Sequence, residues 1–200
     1  MIILLFIIIL IYICYKKKNN LIEYYEYICN LPKNININKW NTKINKIQQY
    51  NNCYAYAMRN LELNRNDKIQ PGDLSNKKRI LKKYYTCENF KKNIKSDYPD
   101  ILDTNLNDMC PCNYYKIALF LDDTGNDKDY HFYRQDDNYT WSHKPGNMQA
   151  RNTDESNIII TNPLTCDKQS KTNKDRHYNK FCGFFCAPYI KNNYLDIESI

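Results

Sequence analysis

Two neighbouring segments decide the fold of this chain: Tyr-His-Phe-Tyr-Arg-Gln at residues 130–135 and Tyr-Thr-Trp-Ser-His at residues 139–143. Both are rich in aromatic residues, which favour extended structure, and the polar residues 136–138 between them are typical of a turn. They predict the two strands of an antiparallel hairpin. Such a hairpin brings His131 and His143, which are twelve positions apart, near each other on neighbouring strands.

Further strands and helices are predicted outside this hairpin. Residues 114–121 and 158–161 are short apolar runs typical of strands, and the apolar segment 181–188 is expected to be buried. Residues 53–61 and 77–92 favour helices. Because the helices precede a run of antiparallel strands, the chain is predicted to have an α+β fold.

Composition limits the classes of function. The chain has 200 residues, of which 42% are hydrophobic, so one packed domain with an appendage is expected. The net charge of +7 is modest, and acidic residues are interleaved with the basic ones. A nucleic-acid partner is therefore not expected. Nine cysteines is a high and odd number, which leaves at least one of them outside any intrachain disulfide.

The N-terminal residues 1–15 carry no charged side chain, and ten of them are isoleucine or leucine. As a helix they would span about 22 Å, against a hydrocarbon core of about 30 Å, and the lysines at 16–18 would snorkel to the interface. We predict an uncleaved, single-pass transmembrane anchor. A cleaved signal peptide fits less well because the basic residues follow the apolar run. By the positive-inside rule, the main domain is expected to face the cytoplasm, whereas the high cysteine count favours an oxidising compartment, so the orientation stays open.

The rest of the chain divides into three parts. Residues 16–45 are rich in asparagine and lysine and are predicted to form a polar spacer. Residues 46–190 are predicted to form the α+β domain, and residues 191–200 a C-terminal tail.

Cys53 is the candidate nucleophile. Asn51 or Asn52 is expected to cap the helix that follows, which places Cys53 in its first turn, where the helix dipole stabilises a thiolate. A cysteine nucleophile also requires a base and a third group that orients the base. His131 and a polar side chain on the next strand would supply these.

The segment Asn-Cys-Tyr-Ala-Tyr-Ala at residues 52–57 resembles the nucleophile segment of papain-like cysteine peptidases. The interval between His131 and His143 is similar to that of the NlpC type, in which a strand histidine is followed by a polar residue on the next strand. The resemblance implies a papain-like arrangement, with Cys53 as nucleophile, His131 as base and His143 as orienting residue. The region around both histidines also resembles uncharacterised proteins of bacteria and large DNA viruses.

Other residues compete for the supporting roles. Asp154 or Asn162, on later segments, would also be able to orient His131. Gln48 or Gln49, just before Cys53, would help to form an oxyanion hole with a backbone N–H group.

The cysteines offer a second chemical hypothesis. Four of them would form a structural zinc site, with His177 as a substitute ligand, although their spacing departs from the usual two-residue gap. These four are Cys110, Cys112, Cys182 and Cys186. Disulfides or buried thiols are the preferred interpretation, and no cofactor is expected.

Two functions from different classes follow. The first is a membrane-anchored cysteine peptidase or amidase that acts on a peptide or amide substrate through Cys53 and His131. The alternative is a non-catalytic, cysteine-rich, membrane-anchored domain with a structural or binding role, for example on a virion. The sequence leaves open whether the chain is an enzyme.

Overall fold

The computed structural model describes residues 2–29, 37–61, 67–124, 127–171, 173 and 175–189. Its helices are α1 (Ile2–Cys29), α2 (Ile37–Trp40), α3 (Ile47–Tyr50), α4 (Cys53–Ala57) and α5 (Cys87–Asp97), with 3-10 turns at Ile44–Lys46 and Lys82–Tyr84. Its strands are β1 (Leu102–Thr104), β2 (Tyr114–Asp122), β3 (Asp129–Gln135), β4 (Trp141–His143) and β5 (Lys180–Pro188).

The five strands form one antiparallel sheet in the order β1-β5-β2-β3-β4. The predicted α+β class is confirmed. β5 lies between β1 and β2, so the last of the described strands is internal to the sheet. Gly183 faces Leu119 where the register between β2 and β5 shifts. Its φ of +151° suits glycine at this irregularity.

The second helix lies later than predicted. The sequence favours a helix over 77–92, whereas α5 begins at Cys87. The hydroxyl of Thr86 caps it by accepting a hydrogen bond from the backbone N–H of Asn89 at 3.2 Å. This cap defines the start of the helix, and the basic residues before it lie in a loop and a short 3-10 turn.

Both faces of the sheet are covered. Alternate residues of β3 point to opposite faces, so Tyr130, Phe132 and Arg134 face α4 while His131 and Tyr133 face away from it. The α4 face holds the larger apolar cluster, which includes Tyr54, Phe90, Ile117, Leu119 and Phe132. The opposite face holds a smaller one, which includes Ala118, Phe120, Tyr133, Trp141 and Phe184.

The short helix α4 forms the centre of the larger cluster. All five of its residues are buried, and the predicted cap is present: the side chain of Asn52 accepts a hydrogen bond from the N–H of Ala55 at 3.0 Å. Trp40 is fully buried and packs edge-on against Tyr56 with ring centres 5.1 Å apart. The packed domain therefore includes residues from Ile37 onward, which belong to the predicted spacer 16–45.

The N-terminal prediction requires a correction. Within the described part of the chain, no helix is both long and apolar enough to cross a bilayer, so the transmembrane anchor predicted over residues 1–15 is wrong. The apolar run stops at Tyr15, while α1 continues through the lysines at 16–18 into polar sequence. The predicted tail, residues 191–200, lies outside the described residues.

Candidate functional site

Cys53 lies in a buried and apolar place. Its side chain is 5% exposed, and its thiol donates a weak hydrogen bond to the carbonyl of Tyr130 at 3.8 Å. Burial, reinforced by the negative charge of Asp129, raises the pKa of the Cys53 thiol to about 12. The thiolate expected at a helix start therefore does not form near neutral pH, because desolvation outweighs the dipole of a five-residue helix.

His131 lies on the opposite face of the sheet from Cys53. Its ring stacks on Tyr178 with centres 4.9 Å apart and meets Tyr133 edge-on at 5.0 Å. Cys53 instead packs in the cluster that contains Phe132. Strand β3 thus separates the proposed nucleophile from the proposed base, and the structure does not bring these two residues together.

His131 and His143 do meet, as the hairpin predicts. Nε2 of His131 lies 2.7 Å from Nδ1 of His143, and both rings are almost completely buried. Nε2 of His143 lies 3.0 Å from the carbonyl of Thr153, which also accepts from Nε of Arg151 at 3.2 Å. Nε of Arg151 also lies 3.2 Å from Nε2 of His143. When the N–H of Arg151 donates to the Thr153 carbonyl, a neutral His143 donates to the same carbonyl from Nε2 and accepts from His131 at Nδ1.

The histidine pair is held in its neutral form. Burial, with the positive charge of Arg151, lowers the pKa of His143 to about 3. Burial also lowers the pKa of His131 well below its ordinary value, and the adjacent His143 adds to the effect. The pair is therefore a packed, hydrogen-bonded element between β3 and β4, with ring faces covered by tyrosines.

The rival supporting residues make structural hydrogen bonds to the backbone. The carboxylate of Asp154 accepts hydrogen bonds from the backbone N–H groups of Ser156, Ile158 and Asp167 and so closes its own loop. Asn162 accepts from the N–H two residues later. Gln48 donates its amide to a backbone carbonyl at residue 147, at 3.2 Å. None of these bonds reaches His131.

The close cysteines form disulfides. Cys87 pairs with Cys182, and Cys110 pairs with Cys186, so a thiolate zinc site at these positions is wrong. Cys112 is also disulfide-bonded. Among the described residues, no cluster of three potential metal ligands occurs. Both described bridges end on β5, which they tie to α5 and to the loop before β2.

Sequence reasoning missed a buried ring of polar groups between α4 and the hairpin. Arg134 is fully buried and donates to the hydroxyl of Tyr56 at 2.9 Å, and Tyr56 bonds to the hydroxyl of Ser142 at 2.7 Å. Ser142 donates to Asp136 at 2.9 Å, and that carboxylate lies 3.5 Å from Nε of Arg134. The alternation in β3 was the available signal, because it places Arg134 on the same face as Phe132.

Three buried lysines were missed in the same way. Each ammonium donates to three backbone carbonyls of nearby loops at 2.5–3.3 Å. Lys116 holds residues 105–108, Lys168 holds residues 163–166, and Lys144 ties the start of α4 to the turn after β4. These lysines give long loops a fixed shape by satisfying carbonyls that secondary structure leaves unpaired.

A cleft of about 220 Å³ opens on the α4 side of the sheet. Tyr130 contributes to its wall, and its hydroxyl donates to the side chain of Gln70 at 2.6 Å. The cleft is lined by Gln70, Pro71, Arg79, Ile80, Tyr85, Phe90 and Tyr130. Neither Cys53 nor either histidine of the buried pair lines it.

Comparison with known proteins identifies the family. No family model and no solved structure matches the chain. The insoluble matrix shell protein 1 of Ruditapes philippinarum is 34% identical to it over 130 residues, which are 64% of this chain and 77% of the relative. The chain belongs to the family of this shell protein. The shell protein's name describes an insoluble matrix component and not a peptidase.

Membership of the shell-protein family corrects the functional predictions. The cysteine peptidase or amidase function, with its peptide or amide substrate, is wrong. The predicted membrane partner and cytoplasm-facing location are wrong too, since no bilayer-crossing helix occurs in the described residues and five of the cysteines are in disulfides. Of the two predicted functions, the similarity favours the non-catalytic structural one, without its anchor.

Proposed function

We propose that this protein is a non-catalytic structural component of an insoluble extracellular matrix. The observation that carries the proposal is the similarity to the matrix shell protein, which extends over 77% of that relative. The disulfides Cys87–Cys182 and Cys110–Cys186 support an extracellular location, because such bonds persist in oxidising compartments and are rare in the cytosol.

The disulfides and buried hydrogen bonds of the domain suit a structural role. The two disulfides close loops with sequence separations of 95 and 76 residues, and each long loop closure lowers the entropy of the unfolded chain. The buried lysines and the ring around Arg134 hold the connecting loops by hydrogen bonds. A domain fixed in one conformation presents a constant surface for assembly.

We also propose that the likeness to papain-like proteins of the NlpC type is one of architecture alone. A short helix that begins at Cys53 packs on an antiparallel sheet, as that resemblance implies. The catalytic roles do not follow, because His131 faces away from Cys53. A Cys53→Ala variant should therefore fold and enter the matrix like the natural protein; normal folding with failed incorporation would contradict this.

The location of the protein tests the main proposal. Cells that express the full chain would be separated into cytosol, culture medium and detergent-insoluble extracellular material. We expect the protein outside the cells, with its disulfides formed, and enriched in the insoluble fraction. Reduced protein confined to the cytosol would refute the proposal.

A further inference from the structure

One surface segment carries an unusual concentration of positive charge. Five of the seven residues at 77–83 are basic: Lys77, Lys78, Arg79, Lys82 and Lys83. All five are exposed, and only Ile80 of this segment is partly buried. We call residues 77–83 the basic strip.

The basic strip is only partly neutralised. Arg79 pairs with Asp67 and Asp73, and Lys82 pairs with Asp127. Among the described residues, no carboxylate pairs with the other three lysines of the strip. Three ammonium groups are thus available to an anionic partner. Because they lie in solvent and no carboxylate has to be displaced, pairing with them requires little rearrangement of the protein.

The strip borders the aromatic cleft. Arg79 and Ile80 belong to both, and Tyr85, two residues after the strip, forms a wall with Phe90 and Tyr130. Tyr85 meets Phe90 edge-on with ring centres 4.9 Å apart. The volume of about 220 Å³ is below the roughly 300–1,000 Å³ of sites for drug-sized ligands, and it suits one ring of a larger molecule.

We propose that the basic strip and the aromatic cleft together bind an anionic polysaccharide. Sugar rings stack their C–H faces on aromatic side chains, and the half-buried ring of Tyr85 is the one at the cleft that can make such a contact, beside the buried rings of Phe90 and Tyr130 and with the amide of Gln70 as a polar partner. The carboxylate or sulfate groups of neighbouring sugars then pair with Lys77, Lys78 and Lys83. An acidic polypeptide such as poly-glutamate would satisfy the lysines but supplies no ring for the cleft.

This proposal deepens the structural role by naming a partner class, and it rests on that role for its biological setting. Polysaccharide binding is measured on the full chain in solution, independently of where the protein is located. Binding can therefore be absent from a protein that enters the matrix, and present in a protein that does not. Two polysaccharides serve as probes. Alginate is a polyuronate and carries carboxylates, whereas dextran is uncharged. Poly-glutamate of matched charge represents acidic polypeptides.

The decisive variant replaces three lysines of the strip with alanine: Lys77, Lys78 and Lys83. Each exposed ion pair contributes a modest amount, so the triple variant should weaken alginate binding by at least about tenfold. The matched control replaces three other exposed lysines with alanine and so removes the same charge: Lys43, Lys92 and Lys171. This control should bind within about twofold of the natural protein.

The cleft is tested separately with Tyr85→Ala, whose folding is checked by circular dichroism. We expect weaker alginate binding with an unchanged salt dependence, because no charge is removed. Should this variant unfold, shifts of the Tyr85 and Phe90 ring signals on adding a short oligouronate to the natural protein provide the same test. Three results would overturn the proposal. The two triple-lysine variants could lose alginate affinity equally, the natural protein could bind poly-glutamate as tightly as alginate, or it could fail to bind alginate at low salt.

Discussion

Acidification should destabilise this protein through its buried histidine pair. In the folded state burial and Arg151 lower the pKa of His143 to about 3, whereas an unfolded histidine titrates near 6.5. Between these values the unfolded chain binds a proton that the folded protein rejects. The contribution of His143 to stability is therefore complete above about pH 6.5 and is lost as the pH falls.

The loss of unfolding free energy at pH 5 follows from the distance between pH 5 and the pKa of an unfolded histidine. About 1.5 pH units lie between 6.5 and 5, and each is worth 1.36 kcal/mol, so His143 alone should cost about 2 kcal/mol of unfolding free energy. The pKa of His131 is lowered by burial in the same direction, so its effect adds to this loss. Carboxylates also respond to acid, so the contribution of the pair must be isolated by substitution.

Urea denaturation at pH 7.5 and pH 5, followed by tryptophan fluorescence, measures the effect. His143→Gln should be less stable than the natural protein at pH 7.5, because it disrupts the bond to His131, but it should lose about 2 kcal/mol less on acidification. His177→Gln, at an exposed histidine, is the control. An identical pH response in His143→Gln and the natural protein would refute the reasoning.

Three further substitutions test other parts of the fold by chemical denaturation. Cys110→Ser, which breaks a bridge of separation 76, should cost about 2–5 kcal/mol in non-reducing buffer and nothing extra after full reduction. Gly72→Ala should cost about 1–3 kcal/mol, since φ is +105° and a Cβ would lie 2.5 Å from the amide nitrogen of a neighbouring asparagine; Gly146→Ala, in open space, should cost less. Lys144→Met should cost about 2–4 kcal/mol because three carbonyls lose their donor, whereas Lys171→Met at the surface should stay within about 0.5 kcal/mol.

Local patterns predicted the main strands because their signals lie within the strands themselves. The predicted strand over 114–121 corresponds to β2 at Tyr114–Asp122, and the aromatic segment of the hairpin corresponds to β3. The helix at Cys53 and its asparagine cap were also visible, since capping depends on residues only a few positions apart.

The placement of Cys53 relative to His131 depends on tertiary structure that local sequence patterns do not carry. Alternation along β3 shows that His131 and Phe132 point to opposite faces, but both faces of this strand are buried, so the pattern does not reveal which face meets α4. The same limit applies to the disulfides: cysteine spacing does not give connectivity, and Cys87 and Cys182 are 95 positions apart.

The reactivity of Cys53 in the folded protein tests the central claim, a structural and non-catalytic role, most directly. Exposed Cys14 serves as the internal standard for iodoacetamide labelling of the full chain near pH 7.5, quantified by mass spectrometry. Because Cys53 is buried and its pKa is raised to about 12, we expect it to react at least about a hundredfold more slowly than Cys14 and to become reactive only on denaturation. Labelling of native Cys53 ahead of Cys14 would contradict the account.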